Sequence, residues 1–308
     1  LTYLERLALR LTVGLSHTPE ARRARHLDWL QRAQQPDGGF TGREGPSDLY
    51  YTGFALRSLA ILDGLSTEVC ERAAEYLRGN LHRRTSVVDF FSFLYSAGLL
   101  QVMGHHVLAD AEPGWEGRIA VELDAFRTQD GGYAKMPGAL SGSTYHTFLM
   151  ALCHELIERP LPAPERVRQF VASRRRDDGG YVEIGAMKRS GTNPTAAAIG
   201  TLHVLDGQHF NAEPEVIRFL LDMVSPEGGL RANGRVPLAD LLSTFTALWT
   251  LEELGASEQV DYQSVQRYLE MVEQPDGGFR AGVWDQQADA EYTFYGLGVM
   301  ALLSRAGL

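Results

Sequence analysis

The chain has 308 residues, 44% of them hydrophobic, enough to bury a large core in either two ordinary domains or one ring-shaped fold. Its formal net charge of -10 argues against a nucleic-acid surface, because contact with a phosphate backbone needs clustered Lys and Arg. The only cysteines are Cys70 and Cys153, so no disulfide framework is implied and a reducing cytoplasm is expected.

The stretch from Leu1 to Leu15 is interrupted by Glu5, Arg6 and Arg10, and reads as an amphipathic helix rather than a signal-peptide core. No apolar run reaches the roughly 18 residues that span a bilayer. Beyond it, Gly-Gly pairs begin at 38, 131, 179, 228 and 277, each followed by Phe, Tyr or Leu, at intervals of 93, 48, 49 and 49 residues. The first interval is close to twice the others, so one repeat near residue 85 lacks the signature. Six units result, with signatures at 35–40, about 85–93, 129–133, 177–181, 226–230 and 274–279.

Each unit is predicted to be a helical hairpin. Before a Gly-Gly pair lies a helix with apolar residues at three and four spacing, such as Val265, Tyr268, Leu269 and Val272, which faces water on one side. The pair stops it, because Pro36 and Pro275 cannot continue a helix and glycine tolerates a left-handed cap. A Thr follows: Thr52 in the first unit, then Thr147, Thr195, Thr244 and Thr293, with Ser92 offered by the unmarked unit. After it comes an apolar helix, as in Phe54 to Leu62 or Phe245 to Leu254, to be buried nearly all round. An inner ring of apolar helices inside an outer ring of amphipathic ones, one domain over residues 1–308 around a central cavity, is the expected all-α fold.

The Gln-x-Asp-Gly-Gly-aromatic units, seen within Gln34 to Phe40 and from Gln274 to Phe279, with the shorter Gln-Asp-Gly-Gly-Tyr from Gln129 to Tyr133, resemble the repeat of the prenyltransferase and squalene-cyclase superfamily, whose fold is an α/α toroid. Gly228 to Arg235, followed by Asp240 and Trp249, looks like the fifth repeat of a Rab-geranylgeranyltransferase β-subunit. The resemblance implies an isoprenoid diphosphate as ligand and, for a β-subunit, a helical-repeat α-subunit as partner. It also implies a zinc held by Asp, Cys and His. Asp240 matches the Asp, but the Cys position is Leu242 and the His position is Tyr292, so no cofactor and no catalytic zinc are expected. His146 precedes Thr147 as the family's His precedes the Thr of the last repeat, but it belongs to the third unit and does not replace the ligand. Arg235 matches the family's diphosphate Arg, and Lys188, Arg189 and Arg231 could supply charge instead, although loop cations on a surface are more often simply solvated.

The starts of the inner helices are expected to wall the cavity with Tyr50, Tyr51, Phe90, Phe91, Tyr145, His146 and Tyr292, with Phe245, Trp249 and Tyr295 nearby. Such a wall suits an isoprenoid chain, or simply helix packing. Asp89, in an apolar run, is a candidate general acid or a helix cap; Asp240, with Asp48 and Asp289, is a candidate cap as well. Three readings stay open: a prenyltransferase-like enzyme, a non-catalytic lipid-binding or protein-interaction toroid, and a terpene cyclase using an acid such as Asp89.

Overall fold

A computed structural model describes residues 1–81, 86–109, 113–207 and 214–304. Residue 85, at the edge of the unmarked repeat's expected signature, lies outside them. Among the described residues there are thirteen α-helices and one two-stranded antiparallel ribbon, β1 (Phe279–Arg280) and β2 (Ala288–Asp289). After α1 (Tyr3–Ser16) the helices alternate as the repeat requires. The amphipathic members are α2 (Glu20–Ala33), α4 (Thr67–Gly79), α6 (Trp115–Asp124), α8 (Pro164–Ser173), α10 (Pro214–Leu221) and α12 (Tyr262–Val272). The apolar ones are α3 (Leu49–Ile61), α5 (Val87–Val102), α7 (Thr144–Leu156), α9 (Thr192–Asp206), α11 (Leu241–Glu253) and α13 (Ala290–Leu303). None of the described helices is long and apolar enough to cross a membrane. Cys70 and Cys153 are both buried and unpaired.

The chain forms two compact units. Among the described residues the first comprises 1–4, 86–91, 113–207 and 214–261; in it α9 packs between α7 and α11. The second comprises 5–81, 92–109 and 262–304; in it α13 packs along α3, α2 packs on α3 and α12 on α13. Arg10 of α1 donates to the carbonyls of Ala301 and Leu302, satisfying orphan acceptors in the last turn of α13.

The repeat's landmarks have specific physical reasons. In five units the Thr hydroxyl accepts the amide of the residue after the Gly-Gly pair: Phe40 to Thr52, Tyr133 to Thr147, Tyr181 to Thr195, Leu230 to Thr244 and Phe279 to Thr293, at 2.9 to 3.1 Å. Each bond is buried and ties the end of an outer helix to the start of the next inner one. The first Gly of each pair has positive φ, and Gly38, Gly131, Gly179 and Gly277 lie against the backbone of another outer helix. A Cβ added at Gly38 would stand 2.1 Å from the Arg72 carbonyl oxygen of α4, and one at Gly179 would stand 2.4 Å from that of Glu215 in α10. The last repeat makes the same contact with the first outer helix, Gly277 against Arg25 of α2 at 2.5 Å.

The candidate caps are caps: Asp48, Asp240 and Asp289 cap α3, α11 and α13 through the amides of Tyr51, Ser243 and Tyr292, and Ser143 caps α7 in the same way, so the inner helices begin before the Thr. Each Thr therefore sits in the first turn, four residues past the cap. In α5, preceded by Ser86, that position is Phe90; Ser92 lies half a turn further on and packs against Gly53 of α3.

Candidate functional site

The second unit carries an aromatic face on its inner helices, its tyrosines half-buried and Phe54 and Phe294 buried behind them. Tyr50, Phe54 and Arg57 lie at four and three spacing on α3, so they line one side of it. Tyr50 meets Phe54 edge-on at 4.9 Å, and Phe54 meets Tyr295 of α13 at 5.3 Å and Phe294 at 5.7 Å. Tyr51 stands edge-on to Tyr50, and Tyr292 to Tyr295. Among these rings lies a guanidinium. The Arg57 carbon is 4.1 Å from the centre of the Phe54 ring, 4.8 Å from that of Phe294 and 5.6 Å from that of Tyr95 on α5, while its Nε donates to the Gly53 carbonyl at 3.0 Å. Aromatic faces stabilise the cation and hold it flat.

Beside it stands a carboxyl. Glu291, in the first turn of α13, accepts a 2.7 Å hydrogen bond from the Tyr50 hydroxyl. Burial pushes its pKa above the ordinary carboxylate value, against the hydrogen bond from Tyr50. Asp289, one turn's edge away, is the cap of α13 and also takes Arg43, which spans to Asp285. Tyr51 is pushed up by burial, with the nearby carboxylates adding to the effect.

In the first unit the residues singled out from sequence are more dispersed. Asp89 and Ser86 form a reciprocal capping box: the Asp89 carboxylate accepts the Ser86 amide at 3.0 Å and hydroxyl at 2.8 Å, and Ser86 accepts the Asp89 amide. Phe90 packs edge-on against Phe126, and Phe91 is buried. His146 is bonded through Nδ1 to the Ser143 hydroxyl at 2.6 Å and pushed down to about 4, by burial first and then by Lys135, so it is neutral at pH 7. Tyr145 is exposed. Trp249 is buried, its indole N–H donating to the Tyr3 hydroxyl at 2.7 Å, and Phe245 is buried on the same helix. Lys188 and Arg235 are exposed on loops.

The donor set does not fit zinc. Both oxygens of Asp240 are engaged by Ser243, one by its amide at 2.7 Å and the other by its hydroxyl at 2.8 Å. Leu242 has no donor atom, and among the described residues no group of three or more His, Cys, Asp or Glu is gathered as an ion would need. Asn193 holds the other side of this cluster, donating to Ser243 and accepting from Thr246.

The family profile of the prenyltransferase alpha-alpha toroid domain matches residues 3–91 and 151–308. The chain belongs to that family. No curated protein matches it by sequence. Among solved structures it resembles Candida albicans protein geranylgeranyltransferase-I complexed with GGPP, at 15% identity and a TM-score of 0.72, covering 91% of this chain and 90% of that one. It also resembles a type II terpene cyclase from Scytonema in complex with geranylgeranyl dihydroxybenzoate, at 14% identity and a TM-score of 0.62, covering 98% of this chain and 99% of that one. An α-1,6-mannanase from Salegentibacter aligns at 13% identity and a TM-score of 0.63, covering 92% of this chain and 98% of that one. At such identities the likeness establishes the toroid fold and no more.

Sequence reasoning passed over Arg57 and gave Glu291 no chemical part. Arg57 had a readable signal, since it is the only Lys or Arg in the six apolar helices α3, α5, α7, α9, α11 and α13.

Proposed function

We propose that this protein binds an isoprenoid with an anionic end against the aromatic face of its inner helices, without zinc chemistry. The observation that carries the reading is the aromatic face of α3, α5 and α13 with the Arg57 guanidinium set among its rings. An apolar polyene lies well on the half-buried Tyr rings backed by Phe54 and Phe294, each buried methylene contributing about 0.8 kcal/mol, and a planar cation meets a phosphate or carboxylate with directed N–H groups. Two structural relatives hold geranylgeranyl compounds, GGPP in one and geranylgeranyl dihydroxybenzoate in the other. Zinc-dependent protein prenylation is not part of the proposal, because Leu242 and Tyr292 stand at the Cys and His positions.

Calorimetric titration with geranylgeranyl diphosphate, without added zinc, tests this. Micromolar binding is expected, weakened about tenfold by Arg57→Met and within about twofold of the parent in Arg235→Ala, whose charge stands in solvent. No heat at any concentration overturns the reading.

Glu291 favours a second reading, acid-initiated cyclisation of a polyene. It is a carboxyl with raised pKa on an aromatic face, whereas Asp89 is committed to a capping box. If the protein turns over geranylgeranyl diphosphate to cyclic products, Glu291→Gln is expected to lower the rate at least about a hundredfold with little change in affinity. Mass spectrometry of the incubation decides; unchanged product formation in the variant removes Glu291 from the chemistry.

A further inference from the structure

We propose that one end of the first unit is a docking surface for an anionic lipid bilayer. The surface consists of the loops after three successive Gly-Gly pairs, residues 134–142, 182–190 and 231–239. They are laced in a row. The Val87 amide at the start of α5 donates to the Lys135 carbonyl at 3.2 Å, Thr144 at the start of α7 to Glu183 at 3.0 Å, and Thr192 at the start of α9 to Ala232 at 2.9 Å. Each acceptor lies three residues past the second Gly, so the three loops project from the same end in the same register.

Every loop exposes two aliphatic side chains: Met136 and Leu140, Ile184 and Met187, Val236 and Leu238. Leu140 is 81% exposed. The tips stand clear of the body, since a Cβ added at Gly138 or Gly234 would meet nothing within 4 Å. Between the aliphatic groups lie exposed cations: Lys135, Lys188, Arg189 and Arg235. The two lysines are the only ones in a chain of net charge -10, and they fall in neighbouring loops, each beside a methionine. The single acid of the three loops, Glu183, is half-buried and accepts the Tyr145 amide, leaving four exposed cations against one carboxylate.

Protruding aliphatic tips interleaved with Lys and Arg match the boundary between acyl chains and anionic headgroups. A protein partner would call for aromatic anchors and a rim of mixed charge. These loops contain no Phe, Tyr or Trp and no exposed acid. The inference is independent of the isoprenoid reading, since it concerns loops of the other unit and needs no ligand.

Co-sedimentation with vesicles of phosphatidylcholine alone, and of phosphatidylcholine and phosphatidylglycerol in equal parts, tests it. Binding to the mixed vesicles only is expected, reversed by added salt and reduced about fivefold by Lys188→Ala, since one cation near such a surface contributes about a factor of that size. Leu140→Ser with Leu238→Ser is expected to reduce it further, with the far-ultraviolet spectrum unchanged because both side chains are exposed. Failure to sediment with either vesicle overturns the proposal, as does binding indifferent to these substitutions. Elution as a dimer that Leu140→Ser dissociates would assign the surface to a second copy instead.

Discussion

Gly38→Ala is expected to destabilise the protein by about 3–5 kcal/mol, read as a lowered midpoint of urea unfolding. Two costs combine. Gly38 has φ of +87°, where an alanine costs about 1–2 kcal/mol. Its Cβ would also stand 2.1 Å from the Arg72 carbonyl oxygen, a backbone atom that cannot rotate away, so α4 must shift. That shift opposes the bonds fastening the turn to α4: Gln34 donates to both the Gly38 and Val69 carbonyls, at 2.9 and 3.2 Å, and Arg72 donates to the Gln35 carbonyl at 2.6 Å. Gly45→Ala separates the two costs. Its φ is +95° but nothing lies within 4 Å of an added Cβ, so a loss of only about 1–2 kcal/mol is expected. Equal losses in the two variants would mean that the close approach to α4 is not what glycine is there for.

The same contact recurs at Gly131, Gly179 and Gly277, and this explains why so much of the fold was legible. A turn that must adopt positive φ and touch the next helix's backbone admits only glycine, and it leaves its mark at the spacing of the repeat. The Asp caps and the Thr positions left marks of the same kind, although only the structure shows that the Thr hydroxyl receives the amide after the glycines. The unmarked unit lacked such a constraint, and there the register was misjudged: Phe90, not Ser92, stands four residues past Ser86. The candidate site was legible in part. Tyr50, Tyr51, Tyr292 and Tyr295 follow from the repeat register. That Tyr50 reaches Glu291, 241 positions away, depends on α3 packing along α13, which no local pattern encodes. Arg57 was readable as a lone cation on an apolar helix, a departure from pattern that binary patterning marks as functional.

The largest electrostatic effect is expected at the contact between the last repeat and the first outer helix. Glu273, at the end of α12, receives Arg22 at 2.5 Å, Arg25 at 2.6 Å and Nε2 of His26 at 3.1 Å, while its side chain is only 10% exposed. His26 is itself fully buried and stacked on Phe279; its Nδ1 accepts the Gly278 amide, so the ring proton is on Nε2 and points at the carboxylate. Burial alone would raise the Glu273 pKa, but the hydrogen bonds from His26 and Arg22 outweigh it and hold the group at about 2, below its ordinary 4.5. The sign follows from linkage. A carboxyl with a depressed folded-state pKa contributes its stabilisation in full above the unfolded value, and loses it as pH falls from about 4.5 towards 2. Glu273→Gln leaves Arg22 and His26 facing a neutral amide in a nearly closed contact, and is expected to cost about 3 kcal/mol at pH 7. The variant should also lose less further stability than the parent between pH 5 and pH 2.5, so that urea midpoints measured across that range converge. Parallel curves would show that Glu273 does not hold the last repeat to the first through its charge, leaving Gly277 against Arg25 and His26 on Phe279 to do so by packing.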